Sequence, residues 1–179
     1  MRWICGALAG LAACAFDPRE GVAPDAARDA PAPLVCPPRF DRTLAGSPSH
    51  YYLEPVETRW RAAEQACEAM SGHLFVPDDD LEADAMRALL SDDDFWVGLV
   101  QKPAATASAE WFTITGAAMV TTRWDSTKPD DGGQENGEEQ VAVLDDSGLD
   151  DKRDNESHRS ICECDGKPID TTLVALIPQ

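Results

Sequence analysis

Residues 95–100, Phe95-Trp96-Val97-Gly98-Leu99-Val100, form a dense run of apolar residues with no polar alternation. A run this short and this rich in aromatic and β-branched side chains predicts a strand buried on both faces. Gly98 inside it calls for another stretch of backbone passing close by. Upstream the pattern turns helical. Trp60, Ala63, Cys67 and Met70 recur at three- and four-residue spacing, which predicts a helix from Thr58 to Ser71 with Thr58 as its cap and Gly72 as its stop. A second helix is predicted from about Asp80 to Ser91, with Asp78, Asp79 and Asp80 at the positive end of its dipole and Leu81, Ala85, Met86, Leu89 and Leu90 as its apolar face. Tyr51-Tyr52-Leu53, after the turn-forming Gly46-Ser47-Pro48, predicts a strand ahead of both helices. Beyond Val100, Trp111 to Ile114, Val120 to Trp124, Val141 to Leu144 and Ser160 to Cys164 are further short strand candidates. Helices first and strands afterwards indicate an α+β fold, with two helices flanking small antiparallel sheets, rather than an alternating parallel one.

The chain of 179 residues has room for one ordinary domain with short appendages. Its 33 acidic and 15 basic residues give a net charge of −18, which repels phosphate backbones and argues against nucleic-acid partners. The N-terminus reads as an export signal. Met1-Arg2 is a short positive region, Trp3 to Gly10 an apolar stretch too short to span a bilayer, and Leu11-Ala12-Ala13-Cys14 resembles a bacterial lipobox. That resemblance implies a lipoprotein signal peptide over residues 1–13 and lipid attachment at Cys14. Cleavage removes Arg2 and no acid, so the mature protein is more negative still, and its membrane contact is through the lipid anchor alone.

Residues 14–35 are rich in Ala, Pro and Asp without hydrophobic period, the composition of a flexible tether. The folded domain is expected over residues 36–166, followed by a C-terminal tail over 167–179 whose apolar run Leu173 to Ile177 is free to pack on the domain or on a partner. Of the six cysteines, Cys5 leaves with the signal and Cys14 goes to lipid. Cys36, Cys67, Cys162 and Cys164 remain in an oxidising compartment, enough for two disulfides in one of three pairings. A Cys162–Cys164 bridge is disfavoured by extended geometry.

The order of these landmarks over about residues 36–165 resembles a C-type lectin-like domain. The carriers are the Cys67 helix, Ser71-Gly72-His73-Leu74, Trp96-Val97-Gly98-Leu99, then Trp111, Gly116, Trp124 and Ile161-Cys162-Glu163. The resemblance implies a Cys67–Cys162 bridge, which leaves Cys36 for Cys164. Each closed loop is long enough to contribute roughly 3 to 5 kcal/mol in the chain-entropy account. Most members carry a further disulfide in the long loop, and here Gln140 and Asp154 stand at its two positions.

That loop, Trp124 to Asp151, is where the resemblance places ligand binding. Calcium-dependent members present a triplet around a cis proline, a following acid and an acidic pair on the next strand. The matching residues are Lys128-Pro129-Asp130, Glu138 and Asp150-Asp151, of which Asp130, Glu138, Asp150 and Asp151 carry oxygens suited to Ca2+. Lys128 has no lone pair and cannot ligate a cation. Two like carboxylates at about 4 Å repel by on the order of 4 kcal/mol in a protein-like dielectric, so the acids need a cation, and Lys128 is able to supply it. The loop after Trp124 holds no aromatic ring to stack on a sugar. The expected function is recognition of carbohydrate through this loop at the bacterial cell envelope; the alternative is a calcium-independent module that binds an extracellular protein or serves structure. The three histidines, His50, His73 and His158, show no zinc spacing, and no nucleophile motif points to an enzyme.

Overall fold

The computed structural model describes residues 34–90, 93–103, 106–133 and 137–178. The expected signal peptide over residues 1–13, Cys14 and the expected tether through residue 33 lie outside the described residues. In chain order the elements are β1 (Arg42–Thr43), β2 (His50–Thr58), α1 (Trp60–Ala69), β3 (His73–Leu74), α2 (Asp80–Arg87), β4 (Phe95–Gln101) and β5 (Trp111–Thr113). A short 3-10 turn at Asp131–Gly133, β6 (Val141–Leu144), β7 (Leu149–Lys152), β8 (His158–Cys164) and α3 (Thr171–Val174) complete them. The sheet runs β1-β2-β8-β4-β6-β7, with β3 added on β8 and β5 on β4. The pairs are antiparallel except β4 with β8, which makes the α+β sheet mixed.

All seven residues of β4 are buried, as its unbroken apolar run requires. Period-two alternation sends Trp96 and Val100 into one core with Trp60, Cys67 and Cys162, and Phe95, Val97 and Leu99 into another with Tyr51, Phe75, Met86 and Ile161. Burying side chains of this size contributes about 1.5 to 3 kcal/mol each. Gly98 lies between them for the reason foreseen. A Cβ there would sit 2.7 Å from the Leu74 carbonyl oxygen and 2.8 Å from Ile114 Cδ1. Both disulfides match the expected pairing: Cys67–Cys162 with Cα atoms 5.4 Å apart and Cys36–Cys164 at 5.9 Å. The tail also joins the first core. Leu173, Val174 and Ile177 are buried there, and Arg61 donates to the Val174 and Ile177 carbonyls at 2.9 and 2.6 Å.

Several local expectations are corrected. Thr58 does not cap α1; it ends β2, its carbonyl accepts the Trp96 indole N–H at 2.7 Å, and Arg59 occupies the cap position without a side-chain hydrogen bond. Ser71, at φ 66°, is the left-handed residue that ends the helix, and Gly72 instead gives room to the Glu163 carbonyl. The second helix stops at Arg87 and faces inward through Glu82, Ala83 and Met86, while Leu81 is 77% exposed. The cause is polar. Asp79 accepts the Glu82 N–H at 2.8 Å, and the Glu82 carboxylate is drawn inward by the Tyr51 hydroxyl and by the Asp78 N–H at 2.7 Å. Val120 to Trp124 is not a strand: the Thr122 N–H and the Thr121 and Thr122 hydroxyls donate to the Asp80 carboxylate, and only Trp124 bridges Leu149.

Candidate functional site

The long loop hangs from the edge strand β7. At its start Trp124 packs on Trp111, ring centroids 4.9 Å apart, and the Asp125 N–H donates to the Leu149 carbonyl at 2.9 Å. Gly148 permits this approach, since a Cβ there would sit 2.7 Å from the Asp125 nitrogen. The Lys128–Pro129 peptide bond is cis, as the resemblance implied.

Two buried carboxylates organise the remainder of the loop. Asp151 accepts the Asp130 N–H at 3.0 and 3.1 Å and the Asp131 N–H at 2.6 Å. Asp131, 1% exposed and left-handed at φ 50°, turns its own carboxylate onto the N–H groups of Gly137, Glu138 (2.8 Å) and Glu139 (3.0 Å). Carboxylate-to-amide bonds of this kind are about twice as strong as neutral ones. They hold the loop at the place where the resemblance implies a further disulfide; at one of those two positions Gln140 donates to the Gly137 carbonyl at 2.7 Å. Sequence reasoning passed over Asp131, whose only signal was an Asp-Gly-Gly turn composition.

Asp130, Asp150 and Asp151 converge, with carboxylate oxygens within 4.8 Å of one another. The Lys128 ammonium lies between two of them, 2.8 Å from Asp130 Oδ1 and 3.0 Å from Asp150 Oδ1. Lys152 pairs with the other Asp150 oxygen and lies 3.9 Å from Asp94. Partial desolvation works against the Lys128 charge, but its bonds to Asp130 and Asp150 dominate and push its pKa above the ordinary lysine range. The same bond holds the Asp130 carboxyl below the usual range. Burial raises Asp151, opposed by the Asp130 and Asp131 amides. Glu138 stands apart from this convergence, its carboxylate 2.8 Å from Arg153 Nη2. Of the expected residues, then, Lys128, Pro129, Asp130, Asp150 and Asp151 come together.

A calcium ion needs six to eight oxygens at about 2.3 to 2.6 Å. Here Lys128 occupies the inward oxygens of Asp130 and Asp150, and both Asp151 oxygens already hold backbone N–H groups. The residues present do not fit calcium while the ammonium keeps this place.

The Lectin C-type domain model matches residues 56–164, so the chain belongs to the C-type lectin domain family. Members of this family are generally binding modules rather than enzymes. No curated protein matches the chain. Among solved structures, it is similar to the mouse scavenger receptor C-type lectin carbohydrate-recognition domain, at 23% identity and TM-score 0.60, over 72% of this chain and 97% of that one. Its human counterpart gives 23% and 0.60, over 73% and 99%. A calcium-independent type II antifreeze protein gives 26% and 0.58, over 73% and 94%. Among the described residues no helix is long and apolar enough to cross a membrane.

Proposed function

We propose that this chain is an exported, lipid-anchored recognition module that binds an extracellular ligand through the 124–151 loop without calcium. Cys14 carries the lipid and residues 14–35 hold the domain away from the bilayer. The observation that carries the reading is the Lys128 ammonium between Asp130 and Asp150, which supplies internally the positive charge that the loop acids require. The ligand class is carbohydrate. Alternating carboxylates and ammonium groups at Asp130, Lys128, Asp150 and Lys152 accept from and donate to neighbouring hydroxyls, with Pro129 aiming its flanking side chains and Glu138 at the rim. Two of the similar structures are described as bound to an N-glycan and as determined in the presence of an oligosaccharide.

A second reading is a protein ligand at the same face, favoured by the lack of any aromatic ring between residues 125 and 151. Glycan-array binding in calcium and in chelator separates the readings. The expected result is glycan binding that chelator leaves unchanged and that Lys128→Ala weakens. Binding that appears only with calcium overturns the calcium-independent reading, and an array without signal moves the ligand to protein. Cys14→Ser is expected to release the protein from the membrane fraction.

A further inference from the structure

The ion pairs of the long loop continue past it. Lys152 on β7 pairs with Asp150 Oδ2, and its ammonium also lies 3.9 Å from Asp94 Oδ2, just ahead of β4. On the far side of Asp94, His158 Nδ1 stands 3.6 Å from the same oxygen. Signs therefore alternate from Asp130 through Lys128, Asp150 and Lys152 to Asp94. Asp94 and His158 line a cleft of about 250 Å³ together with Glu57, Asp93 and Arg159. Strand pairing assembles it. Thr58, which follows Glu57, lies opposite His158 in the β2–β8 pair, and Phe95, which follows Asp94, lies opposite Arg159 in the parallel β4–β8 pair. The His158 ring is fixed edge-on to Trp96, with centroids 4.6 Å apart, and Arg159 is held by Asp93 at 2.5 Å.

Asp94 keeps room for a ligand. Its contacts with Lys152 and His158 both exceed hydrogen-bond length, so its carboxylate is attracted from two sides and accepts from neither. Burial pushes the Asp94 carboxyl up, opposed by the charges of Lys152 and His158. A partly desolvated acceptor in this state is matched by a hydroxyl that donates to it while accepting from the neighbouring ammonium.

We propose, given carbohydrate binding by the 124–151 loop, that this cleft is a second sugar subsite continuous with it, so that the ligand is a neutral oligosaccharide of at least two units. One unit lies against Lys128, Asp130 and Asp150, and the next reaches Asp94, His158 and Arg159. Asp94 accepts from its hydroxyls, while Lys152 and Arg159 donate to their oxygens. The carboxylates of Glu57, Asp93 and Asp94 repel an acidic unit.

The test is calorimetric titration of the disulfide-intact chain with mannose, galactose, glucose and N-acetylglucosamine and with the disaccharide of each. In the series that binds, the disaccharide is expected to bind about tenfold more tightly than the monosaccharide, the equivalent of one or two added net hydrogen bonds. In His158→Phe, which keeps a ring against Trp96, and in Arg159→Leu that ratio is expected to fall toward one. A ratio near one in the unaltered chain, or a tenfold ratio that survives in either variant, overturns the subsite and leaves sugar binding by the loop intact. A galacturonic acid dimer that binds as tightly as the neutral disaccharide overturns it likewise. Absence of binding for every sugar overturns the loop reading and the subsite together. Should both variants fail to fold, NMR of the unaltered chain decides: His158 ring resonances that shift with the disaccharide but not with the monosaccharide support the subsite, and any other pattern overturns it.

Discussion

The Asp151 carboxylate accepts the Asp131 backbone N–H at 2.6 Å, tying the start of the loop's turn to the edge strand. Asp131 passes the constraint on through its own side chain to Gly137, Glu138 and Glu139. The loop is therefore held by a relay of two buried acids.

Asp131→Ala strands three backbone donors and is expected to cost about 2 to 3 kcal/mol, since a buried unpaired donor costs about 1 to 3 kcal/mol and part of the loop can relax into water. Thermal melting measures the loss, and amide exchange at residues 137–139 should rise far more than in β4. A variant with unchanged exchange would contradict the relay.

Lys128→Ala removes the ammonium from between Asp130 and Asp150. The pair is partly exposed, so the expected loss is only about 1 kcal/mol, shrinking as salt rises. Millimolar calcium should leave the Tm of the unaltered protein where it is. Lys128→Glu, which replaces the ammonium with an oxygen ligand, is the variant expected to respond to calcium.

Stability should fall with rising pH through the acid side of neutrality because of Glu64. Burial pushes its carboxyl from 4.5 up to about 7, against the opposing Leu74 N–H and His73. The folded state therefore keeps a proton that the unfolded chain gives up. The stabilisation is complete below pH 4.5 and is lost as pH rises to about 7, by roughly 3 kcal/mol. Glu64→Gln keeps the acceptor for the Leu74 N–H, 2.7 Å away, without the charge. It should raise the Tm at pH above 7 and flatten the profile between the two values.

The two disulfides should differ in access. Cys67 and Cys162 are fully buried in the core, whereas Cys36 is only half-buried near the start of the described chain. Mild reductant should open Cys36–Cys164 first, read by peptide mapping after alkylation. Replacing either pair by alanine should cost roughly 3 to 5 kcal/mol.

Much of the fold was legible because its signals are local. The FWVGLV run announces a strand buried on both faces, and Cys67 lies on the inward stripe of a helix read from three- and four-residue spacing. The inward face of α2 was legible in part: Met86 is buried and Ala85 and Leu90 pack on the second core, whereas Leu81 is exposed and Glu82 turns inward, its burial depending on Tyr51 from a distant strand. Val120 to Trp124 has strand composition, yet the Thr122 N–H and the hydroxyls of Thr121 and Thr122 turn to the Asp80 carboxylate. In the candidate site, Asp130, Asp150 and Asp151 were legible by order, while the role of Asp131 depends on amides that the turn brings back to it.

By itself, then, the amino-acid sequence determined the α+β class, the buried central strand, the pairing of cysteines through family resemblance and the acidity of the long loop. Only the tertiary structure decided that Lys128 stands between Asp130 and Asp150, and that His73 meets Glu163 and Asp165. Periodicity reports which face of an element is apolar. Which charges meet depends on strand pairing between residues far apart in the chain, and that register is set by packing of the whole core.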